Sequence, residues 1–279
     1  MGYLRHIKKC NNFTTIDKIP FMIDGTQVGW IKDIYTSYLL DSGIFVKEKD
    51  SISFKNQYDT FESRNKASEN FAKQAFKDGI SNIFMAESFA ARKTPTSKPL
   101  CLIDRSIASM FGIITFGQHL NGYVKTKDGL KMWIARRSKT KGFYAGKLDH
   151  IVAGGLPYGI SLKENLYKEC LEEANIDIEL AAQAKSVGIV HYRYEYRLGA
   201  SEDILYCYDL QLPENFIPTC NDDEVEEFYL LDIEEVADIV KTTDEFKLNC
   251  NLVIIDFLVR HGYISDENDD YIKIVQGLR

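Results

Sequence analysis

Apolar positions change their period several times along the chain, and each change marks an element. In PFMIDGTQVGWI (20–31) two apolar-rich runs flank Asp24-Gly25, which predicts a β-hairpin closed by that dipeptide. From 63 to 79, Ala67, Phe71, Ala75 and Phe76 recur at helical spacing, with Gly79 at the C-cap. ARKTPTSKP (91–99) is polar, carries two prolines and has no apolar period, so it reads as a linker or exposed loop. Beyond it, FGIITFGQHLNGYVK and LKMWIARRS predict a strand pair around a turn at Lys127-Asp128-Gly129. LDHIVAGG then leads through a glycine-rich turn into a helix. SVGIVHYRYEYR and DILYCYDLQL read as strands, and VEEFYLLDIEEVADIV as a strand running into a helix. NLVIIDFLVRHGYI predicts an amphipathic helix that stops before Gly262. This order of sheets and helices implies an α+β fold or an α/β/α sandwich, not a doubly wound parallel sheet.

Composition narrows the picture without changing it. The 279 residues suffice for one or two domains with a full core, and 45% apolar with 27% charged residues is ordinary for a globular chain. A net charge of -7 offers no broad attraction to nucleic acid. No apolar run reaches the length of a membrane span, and MGYLRHIKKCNNF lacks the apolar segment of a secretory signal, so a cytoplasmic location is expected. Cys10, Cys101, Cys170, Cys207, Cys220 and Cys250 are scattered with no CxxC pair, which implies reduced thiols and no zinc site.

The chemistry concentrates between Gly154 and Ile176, GGLPYGISLKENLYKECLEEANI. Ser161 and Glu164 form a capping box, Leu162, Leu166, Cys170 and Ala174 make a stripe for burial, and Asn175 suits a left-handed helix stop. Glu169, Glu172 and Glu173 stand at i, i+3 and i+4, beside that stripe. Three converging carboxylates repel one another unless a cation lies between them, and oxygen ligands suit Mg²⁺ or Mn²⁺. A glycine turn beside such a cation brings backbone N–H groups to a phosphate. The stretch points to metal-assisted chemistry on a phosphate ester or diphosphate.

These residues resemble the Nudix box, GX5EX7REUXEEXGU. Gly154 matches its first glycine, Glu169, Glu172 and Glu173 its late glutamates, and Ile176 its final aliphatic position. Ile160 replaces the early glutamate, Lys168 the arginine and Asn175 the last glycine. The flanking NGYV (121–124), WIARRS (133–138), KLDHIVAGG (147–155), YDLQLP (208–213) and DDEVEEFYL (222–230) resemble Nudix proteins related to thiamine pyrophosphokinase, which carry an extra N-terminal domain that VGWI (28–31) suits. The resemblance implies a small α+β domain over 1–110 and a Nudix domain, an α/β/α sandwich with a mixed sheet, over 111–279. It implies Mg²⁺-dependent removal of phosphate from thiamine diphosphate or its oxidised forms, with Glu169, Glu172 and Glu173 as metal ligands.

Among candidate bases Glu173 comes first, Glu172 shares the site, and Glu224 is the second choice. Arg136, Arg137 and Lys147 are candidates for the substrate phosphates with Gly154 and Gly155; alternation sends the two arginines to opposite faces. Lys139 and Lys141 are weaker candidates. The tyrosines of HYRYEYR suit either stacking on a heterocycle or a sheet face, and the sheet face is the simpler expectation. His119, His150 and His191 show no metal-ligand spacing in the sequence. Two other readings stay open: hydrolysis of ADP-ribose or another nucleoside diphosphate derivative, and a non-catalytic Nudix fold that senses a phosphorylated ligand. The expected partner is a small phosphorylated substrate, with no nucleic acid or membrane and with room for a homodimer.

Overall fold

The first part of the chain builds around aromatic side chains. The computed structural model describes residues 2–140, 142–221 and 223–279, so Lys141 lies outside the described residues. After α1 (Leu4–Cys10) come β1 (Lys18–Ile23) and β2 (Thr26–Lys32). They form the expected hairpin, and Asp24 and Gly25 take φ of 49° and 70°, as a two-residue turn matched to strand twist requires. With α2 (Thr36–Asp41), β3 (Phe45–Glu48), β4 (Ser51–Phe54) and α3 (Phe61–Lys77) they complete a four-stranded sheet of order β2-β1-β4-β3 and its helix. The helix α3 starts before the apolar period does, because Thr60 and Ser63 cap it reciprocally. Phe71 of this helix meets Phe45 and Phe111 at centroid distances of 5.3 and 5.8 Å. β5 (Ser88–Ala91) pairs antiparallel with β6 (Cys101–Asp104), and α4 (Ala108–Phe111) follows. The polar stretch 91–99 is thus an exposed hairpin loop inside the N-terminal domain, not a link between domains.

The second part is a sandwich. Its strands are β7 (Ile114–Thr126), β8 (Gly129–Arg137), β9 (Leu148–His150), β10 (Val152–Gly155), β11 (Lys185–Tyr196), β12 (Gly199–Gln211) and β13 (Val225–Asp232). Its helices are α5 (Leu162–Ala174), α6 (Ile178–Ala181), α7 (Ile233–Thr242), α8 (Cys250–Arg260) and α9 (Tyr271–Gln276). The sheet runs β11-β12-β7-β8-β13, with β10 on β7 and β9 on β8. It is mixed: β12 lies parallel to β7, while the other pairings are antiparallel. One face packs Leu120 and Val152 against Leu166, Cys170 and Ala174 of α5. The other packs Ile134 and Leu205 against Val236 of α7 and Phe257 of α8.

Two details depart from expectation. The helix α8 is buried from Cys250 through Leu258 instead of amphipathic, because the sheet, α7 and α1 cover it on several sides. The opening helix α1 also joins this second core, through Tyr3, Ile7 and Cys10. His6 Nε2 lies 2.7 Å from the Val240 carbonyl oxygen of α7. A division at residue 110 therefore leaves the first helix with the other domain's core. No helix among the described residues is long and apolar enough to cross a membrane.

Candidate active site

The helix α5 forms as its sequence directs. Ser161 Oγ accepts the Glu164 N–H, and Glu164 Oε2 accepts the Ser161 N–H. Asn175 ends the helix at φ 54°, ψ 35°. Burial of Leu166, Cys170 and Ala174 turns the Glu169 and Glu173 edge toward β10. Glu173 is itself buried, and its Oε2 accepts the Ala153 N–H at 2.7 Å. A Cβ on Gly154 would lie 2.4 Å from Glu169 Cδ, so only glycine lets that carboxylate rest on the strand. The glycine turn and the glutamates are one packed unit.

Electrostatics separate these acids from ordinary surface acids. Burial pushes the Glu173 carboxyl up to about 8 despite the Ala153 N–H, and the carboxylates of Glu169, Asp149 and Glu224 push it further in the same direction. Burial raises Glu169 as well, with Glu172 and Glu224 adding to the effect against the pull of Lys168. Lys168 Nζ lies 2.9 Å from Glu172 Oε2 and 3.4 Å from Glu169 Oε1, holding the position of the box arginine as a single point of positive charge. Glu169, Glu172, Glu173 and Glu224 all line the same cavity. Crowded oxygen donors of this kind fit a hard divalent cation such as Mg²⁺ or Mn²⁺.

Ile160 leaves the loop without its early glutamate, and two residues not singled out from the sequence tie it down instead. Asn165 Nδ2 donates to the Gly155 carbonyl at 2.9 Å and to Gln118 Oε1 at 2.8 Å. Gln118 Nε2 donates in turn to the Leu162 carbonyl at 2.8 Å.

The cationic candidates divide. Arg137 lines the cavity, but its Nη1 is 2.9 Å from Asp149 Oδ2. Arg136 is turned away: it donates to Tyr229 Oη and the Gly146 carbonyl, and is not among the cavity residues. Lys147 is likewise absent from the cavity and spends its ammonium on the Asp244 carbonyl. Lys139 pairs with Glu226 at 2.9 Å. A cation the sequence did not point to does reach the loop. Arg105, from the N-terminal domain, sets its guanidinium where a Gly155 Cβ would touch it at 3.2 Å, and it pairs with Glu87 at 3.0 Å.

Behind the glutamates lies a second polar cluster. His119, Asp149, His150 and Cys250 are all buried, with one ligand atom of each within 4.8 Å of the others. The two histidines, unremarkable in sequence, meet Nδ1 to Nδ1 at 2.9 Å because β7 and β9 carry them together. Burial opposes ionisation of Asp149, yet Lys247 at 3.2 Å and Arg137 hold its carboxyl well below the usual range. Burial also keeps both histidines neutral, pushing His150 down to about 4. Lys247 and Arg137 already supply the positive charge that a cation would bring here.

The cavity measures ≈ 560 Å³ and is shared by the two domains. Beyond the glutamates its lining mixes aliphatic and polar side chains with aromatic ones: Phe89, Phe116, Phe143, Tyr192, Tyr194 and Tyr196. The tyrosines of HYRYEYR thus occupy one sheet face and that face lines the cavity.

Comparison with known proteins agrees with this geometry. A family model described as NUDIX domain matches residues 122–250, and one described as Domain of unknown function (DUF4743) matches 2–115. The protein called Nudix hydrolase 24, chloroplastic, of Arabidopsis thaliana is 40% identical over 286 residues, covering 100% of this chain and 78% of its own. Nudix hydrolase 20, chloroplastic, of the same plant is 38% identical over 291 residues, with coverage of 100% and 78%. A solved MutT/nudix family protein from Enterococcus faecalis aligns with 58% of this chain and 67% of its own at 13% identity and a TM-score of 0.42. With its box glutamates, glycine loop and mixed-sheet sandwich in place, the chain belongs to the Nudix hydrolases and carries a DUF4743 domain in front of the Nudix domain.

Proposed function

We propose that the protein hydrolyses the diphosphate bond of a small substrate bearing an aromatic ring, with thiamine diphosphate or its oxidised forms first among candidates. The observation that carries this reading is the continuity of one cavity from the box glutamates to an aromatic wall. The resemblance of the flanking segments to Nudix proteins related to thiamine pyrophosphokinase supports the choice of ring system.

Glu169, Glu172 and Glu173 would hold a divalent cation, Mg²⁺ or Mn²⁺. When bound, it neutralises phosphate charge and polarises the bond to be cleaved. The chain's own residues do the positioning. Backbone groups of Gly154 and Gly155, together with Arg105, face the phosphates, while Arg137 stays committed to Asp149. Water attacks phosphorus, the new P–O bond forms, and the bridging oxygen leaves on the monophosphate. Glu173 is the first candidate to take the proton of that water, and Glu224 the second. We place the working division of the chain near residues 110–111, with cavity walls from both sides.

Purified protein with Mg²⁺ offered thiamine diphosphate, oxothiamine diphosphate, ADP-ribose and nucleoside triphosphates tests the reading. Release of thiamine monophosphate or its oxidised analogue supports it. Selective release of AMP from ADP-ribose overturns the substrate, and no turnover on any compound overturns the enzyme.

A further inference from the structure

Deep in the aromatic end of the cavity lies a carboxylate that the hydrolytic site does not use. Asp203 of β12 stands opposite Thr115 of β7 and lines the cavity. Thr115 Oγ1 donates to its Oδ1, and Ser201 Oγ donates to its Oδ2 at 2.8 Å. The Tyr192 hydroxyl is a third donor. Among the described residues no lysine or arginine forms a salt bridge with it, in contrast to Asp149, which pairs with Arg137 and Lys247, and Asp209, which pairs with Arg260. The cations nearest this end are spoken for: Lys247 is paired with Asp149, and the exposed Arg197 donates to Asn82 Oδ1. Burial raises the Asp203 carboxyl, against the pull of its hydroxyl donors and of Lys247. A half-buried carboxylate whose printed hydrogen-bond partners are all hydroxyls keeps lone pairs facing the cavity, where the N–H groups of a ligand can complete it.

The surroundings say what that ligand looks like. Tyr192, Tyr194 and Tyr196 alternate along β11 and so share a face, with successive ring centroids 5.7 and 5.8 Å apart. Phe143 extends this wall, 6.4 Å from Tyr196. Aromatic faces accept a flat ring, and a carboxylate beside them selects a ring with N–H groups to donate. Thr115 is two residues along β7 from Gly117, which pairs with Gly155 of the phosphate loop. Two residues of strand span about 7 Å, so one small molecule with a short link reaches both places.

We infer that Asp203, with the Tyr192, Tyr194 and Tyr196 wall, is a specificity subsite for an amino-substituted nitrogen heterocycle on the non-phosphate half of the substrate. The inference rests on the hydrolase reading above and adds the chemical class that the far end of the cavity selects. An aminopyrimidine-type ring donates N–H to the free lone pairs of Asp203 and stacks on the tyrosines. A diphosphate without such a ring gains nothing from either.

The test compares wild type with Asp203→Asn, which keeps size and removes the charged acceptor, and with Tyr196→Leu, which keeps the carboxylate and removes part of the wall. Thermal melts establish that each variant is folded. Steady-state rates are read on thiamine diphosphate and on ring-free methyl diphosphate. Binding of unphosphorylated thiamine is read separately by quenching of tyrosine and tryptophan fluorescence. The expected result is a KM for thiamine diphosphate raised about 10- to 100-fold in Asp203→Asn, with kcat within a few-fold and the methyl diphosphate rate unchanged. Thiamine quenching falls by a similar factor, and Tyr196→Leu shows a smaller loss of the same kind. Equal KM and equal quenching in wild type and folded Asp203→Asn overturn the subsite while leaving the hydrolase standing. Should no diphosphate be cleaved, the hydrolase reading falls, and the quenching comparison still decides the subsite: loss in the variant supports it, and no quenching in wild type overturns it. If Asp203→Asn does not fold, Tyr196→Leu decides in the same way.

Discussion

Asp149 and the box glutamates of α5 back the same cavity, and the chain treats them differently. Asp149 receives Arg137 at 2.9 Å and Lys247 at 3.2 Å, and these hold it ionised in spite of its burial. Among the described residues, Lys168 is the cation that pairs with Glu169 and Glu172, and burial with mutual repulsion pushes Glu173 up to about 8. The first is complete within the protein. The second crowds several carboxyl groups into one cavity, the arrangement of oxygen donors that suits a cation and a phosphorylated ligand. The difference teaches that burial alone does not mark a functional acid; the crowding of carboxyl groups in one cavity does.

The strongest way to break this contrast is to remove one of the α5 glutamates. Glu172→Gln is expected to lower turnover about 10²- to 10⁴-fold with little change in thermal stability, since half of that side chain's environment is solvent. Chelation of divalent ions is expected to abolish the same activity, and Mg²⁺ to restore it. An unchanged rate in the variant, measured under saturating substrate, would remove α5 from the reaction. Asp149 responds in the opposite sense. Asp149→Asn leaves Arg137 and Lys247 buried without their partner, at a cost of about 3–5 kcal/mol in a denaturant titration. A loss under 1 kcal/mol would show that the two cations find other partners, and the distinction between the clusters would fail.

Gly154→Ala sharpens the comparison from the backbone side. The added methyl takes the space of the Glu169 carboxylate, whose Cδ would stand 2.4 Å away. Activity is expected to drop about 10- to 100-fold through displacement of Glu169, in line with the sensitivity of positioned groups to shifts of an ångström. Asn165→Ala acts more gently, freeing the Gly155 carbonyl and Gln118, and is expected to cost about 1–2 kcal/mol of stability with a smaller loss of rate. If Asn165→Ala matches Gly154→Ala in lost activity, loop order and not glutamate placement is the limiting feature.

How much of this was legible in the residues follows from the range of the interactions. The α5 unit is local: its cap, stripe, glycines and left-handed stop lie within about two dozen residues, and short-range rules reach them. The same holds for the Asp24-Gly25 hairpin. Arg136 and Lys147 lie away from the cavity because their partners, Tyr229 and Asp244, come from strands and loops far along the chain. The pairing of His119 with His150, the docking of α1 into the second core and the arrival of Arg105 at Gly155 are products of tertiary structure with no local signature. The tyrosines of β11 show the limit from another side: alternation revealed that they share a face, and only the neighbouring domain shows that the face is a cavity wall.

The smallest expected effect concerns the stop of α5. Asn175 holds φ 54° and its Oδ1 accepts from Asn221 Nδ2 at 3.2 Å, while Asn221 also donates its N–H to the Glu172 carbonyl at 2.9 Å. Glycine at this position would relieve the left-handed strain but lose the side-chain bond, so Asn175→Gly should change stability by less than about 0.5 kcal/mol. Alanine keeps the strain and loses the bond, and Asn175→Ala should cost about 1–2 kcal/mol in the same denaturant titration. Because the left-handed strain that alanine keeps is borne by the end of the helix that carries Glu172 and Glu173, the alanine variant is also expected to lose a few-fold in rate where the glycine variant does not. Equal rates in the two variants would mean that the corner only ends a helix. Unequal rates would tie the helix stop to the placement of Glu224 beside the α5 glutamates.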